Sequence, residues 1–303
     1  MHEPRPLQIL FLTSFSDSCY RAIPALAQMA DDLEVRITLL HSYDPEQVTA
    51  DTARCRVQSF FPEADRFGIV RRLAMPGKLP AIYETYRAEN PVDLIFAPSS
   101  DPLGRPRLGH PIRSRMIRES GVPVWTIGPK VDVRKLQAPN RSVACWIDFE
   151  HPDKTHLKLA FEYAWKLDAQ LHLLHVLPEV NESTVLLPLY YDKPLHAEGA
   201  TEEIRKMLGW VPMSPEIHVT TGNARKGILR LAKKCDADIL FVGKGTAIES
   251  GFLGTRLNPA IDQCHCPVIC VDGNTSSMAI WKLDRGSAFL SRTAPRRIAK
   301  VGR

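Results

Sequence analysis

The chain has 303 residues, of which 44% are apolar and 24% charged, with a formal net charge of +5. This is an ordinary composition for a globular protein with room for about two domains, and no apolar run approaches the roughly 18 residues of a membrane span. From Asn274 to Arg303 seven Lys or Arg face one acid, so this segment carries +6 and the remaining body −1, which argues against a nucleic-acid-binding body.

The opening MHEPRPLQILFLTSF has an apolar stretch preceded by proline and acid, with no small-residue cleavage site after it. It reads as a first strand, Ile9–Phe15, rather than a signal peptide. Further apolar runs follow at Thr38–Pro45, Val92–Ser100 and Val122–Ile127. Pro129–Ser142 is rich in proline and charge and reads as a linker. Beyond it, Val143–Asp148 predicts a strand buried on both faces. Leu157, Ala160, Phe161, Ala164 and Leu167 recur at helical spacing, with Asp153 as the expected N-cap. Leu171–Val176 is the next strand and His196–Leu208 a helix. Then come strand Glu216–Thr220, helix Ala224–Cys235, strand Ile239–Gly243, helix Thr255–Cys264 and strand Val268–Val271. Seven cysteines without regular spacing do not suggest a disulfide framework, and a reducing cytoplasm suits them.

The chain repeats itself. TLLHSYDP (Thr38–Pro45) recurs as HLLHVLPE (His172–Glu179) at an offset of 134, which also lays Ile9–Phe15 over Val143–Phe149. VDLIFAPSS (Val92–Ser100) lies over ADILFVGKG (Ala237–Gly245) at an offset of 145, which places Gly77 on Gly222 and Gly109 on Gly254. The endings GVPVWTIG and HCPVICVDG also match. Alternating strand–helix units with apolar strands imply parallel sheets covered by helices on both faces.

These segments resemble a tandem universal stress protein. ACWIDFEHPDKTHLKLAFEYAWKLDAQLHLLHV is similar to the family's opening, TGNARKGILRLAKKCDADILFVG to its middle, and CPVICV to its closing strand. The likeness covers roughly residues 7–128 and 141–273 and is closer in the second copy. It implies an α/β fold of two tandem flavodoxin-like (Rossmann-like) domains. Each would be a five-stranded parallel sheet of order 3-2-1-4-5 with helices on both faces. The expected boundaries are 1–137, 138–273, and a basic tail 274–303. The resemblance further implies a stress-response regulatory protein, not an enzyme, although slow nucleotide hydrolysis stays open. The two domains would form an intramolecular pseudo-dimer through their fifth strands, and a homodimer of chains also remains open.

Some family members bind ATP through a loop reading Gly-x2-Gly-x9-Gly-(Ser/Thr) after strand four, with an Asp at the end of strand one near the adenine. Carried onto this sequence, ATP or a related nucleotide would engage Asp148, Val176, Gly243, Lys244, Gly245, Gly254 and Thr255. The site would lie at the topological switch point, where doubly wound folds bind ligands. Amides of a glycine loop at a helix N-terminus suit phosphate oxygens. The loop departs from the pattern: Gly243-Lys244-Gly245 replaces Gly-x2-Gly, and the span to Gly254 is two residues short. A tight strand-to-helix connection, with Gly245 and Gly251 at positive φ, explains the same glycines. The first copy departs further, with Pro98, Ser99, Ser100 and His110 in the loop and Ser14 where the second has Asp148. Its fold would survive without its nucleotide.

Other groupings carry weaker signals. Cys264, His265, Cys266 and Cys270 invite a metal, but buried cysteine as a small apolar residue accounts for them better. His41 and His175 occupy matching strand ends and read as hydrogen-bonded structural histidines. Arg105, Arg107, Arg113, Arg115 and Arg118 read as a solvated basic helix face. No metal site, catalytic triad or carboxylate pair is expected. The alternative to nucleotide binding is a scaffold acting through its pseudo-dimer surface or its basic tail.

Overall fold

The computed structural model describes residues 5–67, 70–98, 112–138, 140–149, 154–179, 196–209, 213–249 and 260–273. Strand β1 (Leu7–Leu12) leads through helix α1 (Asp17–Asp32) to β2 (Val35–Tyr43). Helix α2 (Ala50–Ser59) and β3 (Val70–Pro76) follow, then α3 (Leu79–Glu89), β4 (Leu94–Phe96), α4 (Ile112–Glu119) and β5 (Val124–Thr126). The second half runs β6 (Ser142–Trp146), α5 (Thr155–Leu167), β7 (Gln170–Leu177), α6 (Ala197–Met207) and β8 (Glu216–Thr221). It closes with α7 (Ala224–Lys234), β9 (Ile239–Gly243), α8 (Lys244–Glu249) and β10 (Val268–Val271).

The strands form one sheet of ten, ordered β3-β2-β1-β4-β5-β10-β9-β6-β7-β8. Each half therefore has the order 3-2-1-4-5. The fifth strands meet as expected, and their antiparallel pairing, Val268 against Thr126 and Cys270 against Val124, joins the two five-stranded sheets into a single sheet. All other pairings are parallel. A closing strand would otherwise expose a hydrogen-bonding edge; here each edge satisfies the other. The strand interiors are apolar on both faces, as central parallel strands require.

The sequence offsets reappear as matched hydrogen bonds. Gly77 N–H donates to the Tyr43 carbonyl at 2.8 Å, and Gly222 N–H to the Leu177 carbonyl at 2.9 Å. Both glycines adopt left-handed φ, +118° and +122°, which explains why glycine stands at both turns. Asp93 accepts from the Gln8 amide as Asp238 does from the Ser142 amide, both at 2.9 Å.

Several expectations change. Pro129–Ser142 is no free linker: Val131 and Leu136 are buried, the latter in a 3-10 helix, Val133–Gln137. Arg21 donates to the carbonyls of Pro129 and Val131 at 3.0 and 2.6 Å. Two anchoring apolar side chains outweighed the polar composition. The N-cap position of α5 is Lys154, not Asp153, which lies outside the described residues. Of the expected helix Thr255–Cys264, only a 3-10 turn, Ala260–Gln263, falls within the described residues. Arg113 is not solvated but 2% exposed, and binds Asp262 of the other half. Arg115 does lie on an exposed face, paired with Glu119. Arg105, Arg107, Ser99, Ser100, Gly109, His110 and the tail 274–303 lie outside the described residues.

Candidate functional site

In the second half the winding reverses between β6 and β9. The last register pair of these strands is Cys145↔Phe241, and Asp148 and Lys244 each lie three residues beyond it, past the carboxyl ends of the strands. Asp148 lies two residues past β6, and Gly243 is the last residue of β9. Helix α8 starts at Lys244 without an intervening loop, so Gly245 sits in its first turn with no left-handed φ. The glycine-loop expectation is corrected there: the chain turns directly from strand to helix.

The need for glycine at 243 has a packing cause. His156, on the first turn of α5, is buried and its Nε2 is 2.9 Å from the Trp146 carbonyl. A Cβ at Gly243 would lie 3.1 Å from His156 Nδ1. The histidine ring thus fills the space a side chain at 243 would need. Sequence reasoning missed His156, although its place on the Leu157–Ala160–Ala164 face was a usable signal.

Lys244 is half-buried and its Nζ lies 2.5 Å from Asp272 Oδ2, just past β10. Its charge is balanced in this arrangement, and phosphate would have to compete with that carboxylate. Val176 is buried in β7 and turns its side chain to α7, where a Cβ on Gly227 would come within 2.7 Å of it. Gly254, Thr255 and Gly251 lie outside the described residues. Asp148, Gly243, Lys244 and Gly245 therefore lie at or just past the carboxyl ends of the adjacent strands β6 and β9, while the side chain of Val176 turns to α7.

The matching histidines behave as structural groups. His175 Nδ1 is 2.8 Å from the Ile147 carbonyl, and His41 Nδ1 is 3.0 Å from the Thr13 carbonyl. Phe149 and Phe15 pack on these rings at centroid distances of 4.5 and 4.4 Å. Burial lowers both pKa values; for His175 the Ile147 carbonyl and then Asp148 oppose it. The pair bolts strand two to the end of strand one in each half.

At the first half's switch point, Thr13, Ser14, Cys19, Ser42 and Pro98 help line a cavity of ≈ 50 Å³. That is far below the roughly 300 Å³ at which small-molecule pockets begin. Cys264, Cys266 and Cys270 are buried free thiols, with Cys264 Sγ 3.6 Å from Cys266 Sγ. Burial pushes the Cys270 thiol up to about 12, which suits a packed apolar residue. Among the described residues, no helix is long and apolar enough to cross a membrane.

Residues 139–272 match the model of the Universal stress protein family. No curated protein matches the chain. Solved structures do. A universal stress protein from Archaeoglobus fulgidus DSM 4304 is 18% identical over 88% of this chain and 96% of its own, with a TM-score of 0.62. A functionally unknown protein from Pseudomonas aeruginosa PAO1 is 18% identical, covering 88% of this chain and 92% of its own at 0.54. The cytoplasmic domain of a prokaryotic cation chloride cotransporter is 12% identical, covering 91% and 99% at 0.53. At these identities the likeness establishes the fold alone.

Proposed function

We propose that this chain is a stress-response regulatory protein built of two universal-stress-type halves, 1–137 and 138–273. It works by binding rather than catalysis, in the cytoplasm, and its second half takes ATP or a related adenine nucleotide. The observation that supports this reading is the position of Asp148 and Lys244 just past the carboxyl ends of the adjacent strands β6 and β9, where the winding reverses. A carboxylate and a cation at the ends of adjacent strands, beside a helix start, suit a ligand with a polar base and an anionic tail. The family match over residues 139–272 supports the same half. In the first half, the small cavity and Pro98, which has no amide proton to offer, speak for a retained fold without the ligand.

A second reading has its own observation. The Lys244–Asp272 ion pair leaves the cation already balanced, which favours a scaffold that acts through the surface of the joined halves. Calorimetric titration of the full chain with ATP separates the two: the first reading gives one site per chain, weakened by Lys244→Ala, and the second gives no heat.

A further inference from the structure

Far from the switch point, at the outer edge of the second half, His172 of β7 meets Glu216 and His218 of β8. His172 and Glu216 are paired across the strands, and His218 is two residues on from Glu216, so it shares the same sheet face. His172 Nδ1 lies 3.1 Å from His218 Nε2 and 3.4 Å from Glu216 Oε2, and the last two are 3.7 Å apart. The point equidistant from these three donors is about 2.0 Å from each, the length of a zinc–imidazole or zinc–carboxylate bond. We propose that His172, Glu216 and His218 form a binding site for a divalent transition metal of the zinc type, with its fourth position open to solvent.

Two further observations support the donor set. First, β8 ends the sheet order, so the triangle sits at an accessible margin. Second, the His172 and His218 side chains are 9% and 20% exposed while Glu216 is 59% exposed. Two nitrogens are thus held in place by packing, and the carboxylate can close over an incoming ion. Two nitrogens and one carboxylate with an open position is a zinc-compatible set, and the softer Cys235 nearby is not part of it. Cys235 is pushed up to about 11, chiefly by burial, and stays a thiol. Without metal, the short His172–His218 contact is a hydrogen bond between two rings that share one proton.

The test is a Zn2+ titration of the full chain by calorimetry, after removal of any affinity tag and of bound metal, with Co2+ as a spectroscopic probe. The proposal predicts one equivalent bound, a tetrahedral Co2+ spectrum in the visible, and no thiolate charge-transfer band. Glu216→Gln, on an exposed side chain that folding does not need, should weaken binding at least about tenfold, and His218→Ala more. Cys235→Ser should leave affinity unchanged. Absence of binding, a thiolate band placing the metal on cysteines, or full affinity in Glu216→Gln and His218→Ala would each overturn the site.

Discussion

Arg113 Nη1 lies 2.6 Å from Asp262 Oδ1, and this contact ties α4 of the first half to the 3-10 turn of the second. The Arg113 side chain is 2% exposed and that of Asp262 26%. The same seam holds Gly128, where a Cβ would come within 2.8 Å of the Ile261 carbonyl oxygen. Backbone meets backbone there, beside the antiparallel β5–β10 junction. Removing one partner of a buried pair costs more than replacing both, because the remaining charge loses its compensation. Asp262→Ala should therefore cost about 3 kcal/mol or more, since it strands a buried guanidinium. Arg113→Met should cost clearly less, because Asp262 retains access to water. Urea unfolding midpoints of the two variants check the order, and equal or reversed losses would contradict it.

The pH dependence follows from groups with opposed signs. His41 and His175 have folded pKa values lowered from 6.5, so the unfolded chain binds more protons below that pH. Their contribution is present above about pH 6.5 and is lost as pH falls. Glu162 on α5 is raised from 4.5 to about 7 by burial, with Lys158 opposing. Its contribution is present below about pH 4.5 and is lost as pH rises through 7. Between pH 5 and 7 the two effects oppose each other. Glu162→Gln should make stability climb more steeply with pH across that window, and His175→Gln should make it climb less steeply. Urea midpoints at pH 5, 6, 7 and 8 measure both slopes. A flatter profile for Glu162→Gln would refute the assignment.

The Lys244–Asp272 pair sets a second expectation. If Lys244 exchanges Asp272 for phosphate, then weakening the internal partner should help the ligand. Asp272→Asn keeps the side chain's shape and removes its charge, and should tighten ATP binding about tenfold, or roughly 1.4 kcal/mol. The same change should lower the melting temperature of the free protein slightly. Unchanged affinity in a folded Asp272→Asn variant would show that the carboxylate does not compete.

Much of the architecture was legible because its signals are local and repeated. Apolar runs such as Ile239–Gly243 and Val268–Val271 mark buried parallel strands, and both strands have those bounds. The duplicated glycines at 77 and 222 mark positions that need left-handed φ. That the fifth strands meet came only from the family resemblance; that their pairing merges the sheets could not be read from the residues themselves. The merger depends on the partner each closing strand finds, and an apolar edge strand looks the same whether it pairs or is covered. Long-range contacts were invisible for the same reason. Nothing near Arg113 in sequence announces Asp262, and nothing near Gly243 announces His156. Glycine there satisfied two explanations at once, and only the histidine ring beside it distinguishes packing from ligand contact. For His172, Glu216 and His218 the alternation along each strand was readable, but the register that joins them was not.

The proposed function has ATP or a related nucleotide bound at the β6/β9 switch point of the second half. Calorimetric titration of the full chain with ATP tests it most directly, with Lys244→Ala run alongside. Binding there predicts one site per chain and a loss of at least about tenfold on Lys244→Ala, as expected when a charge-assisted contact is removed. No heat above dilution at millimolar ATP, with an unchanged melting temperature, would contradict it and leave the scaffold reading in its place.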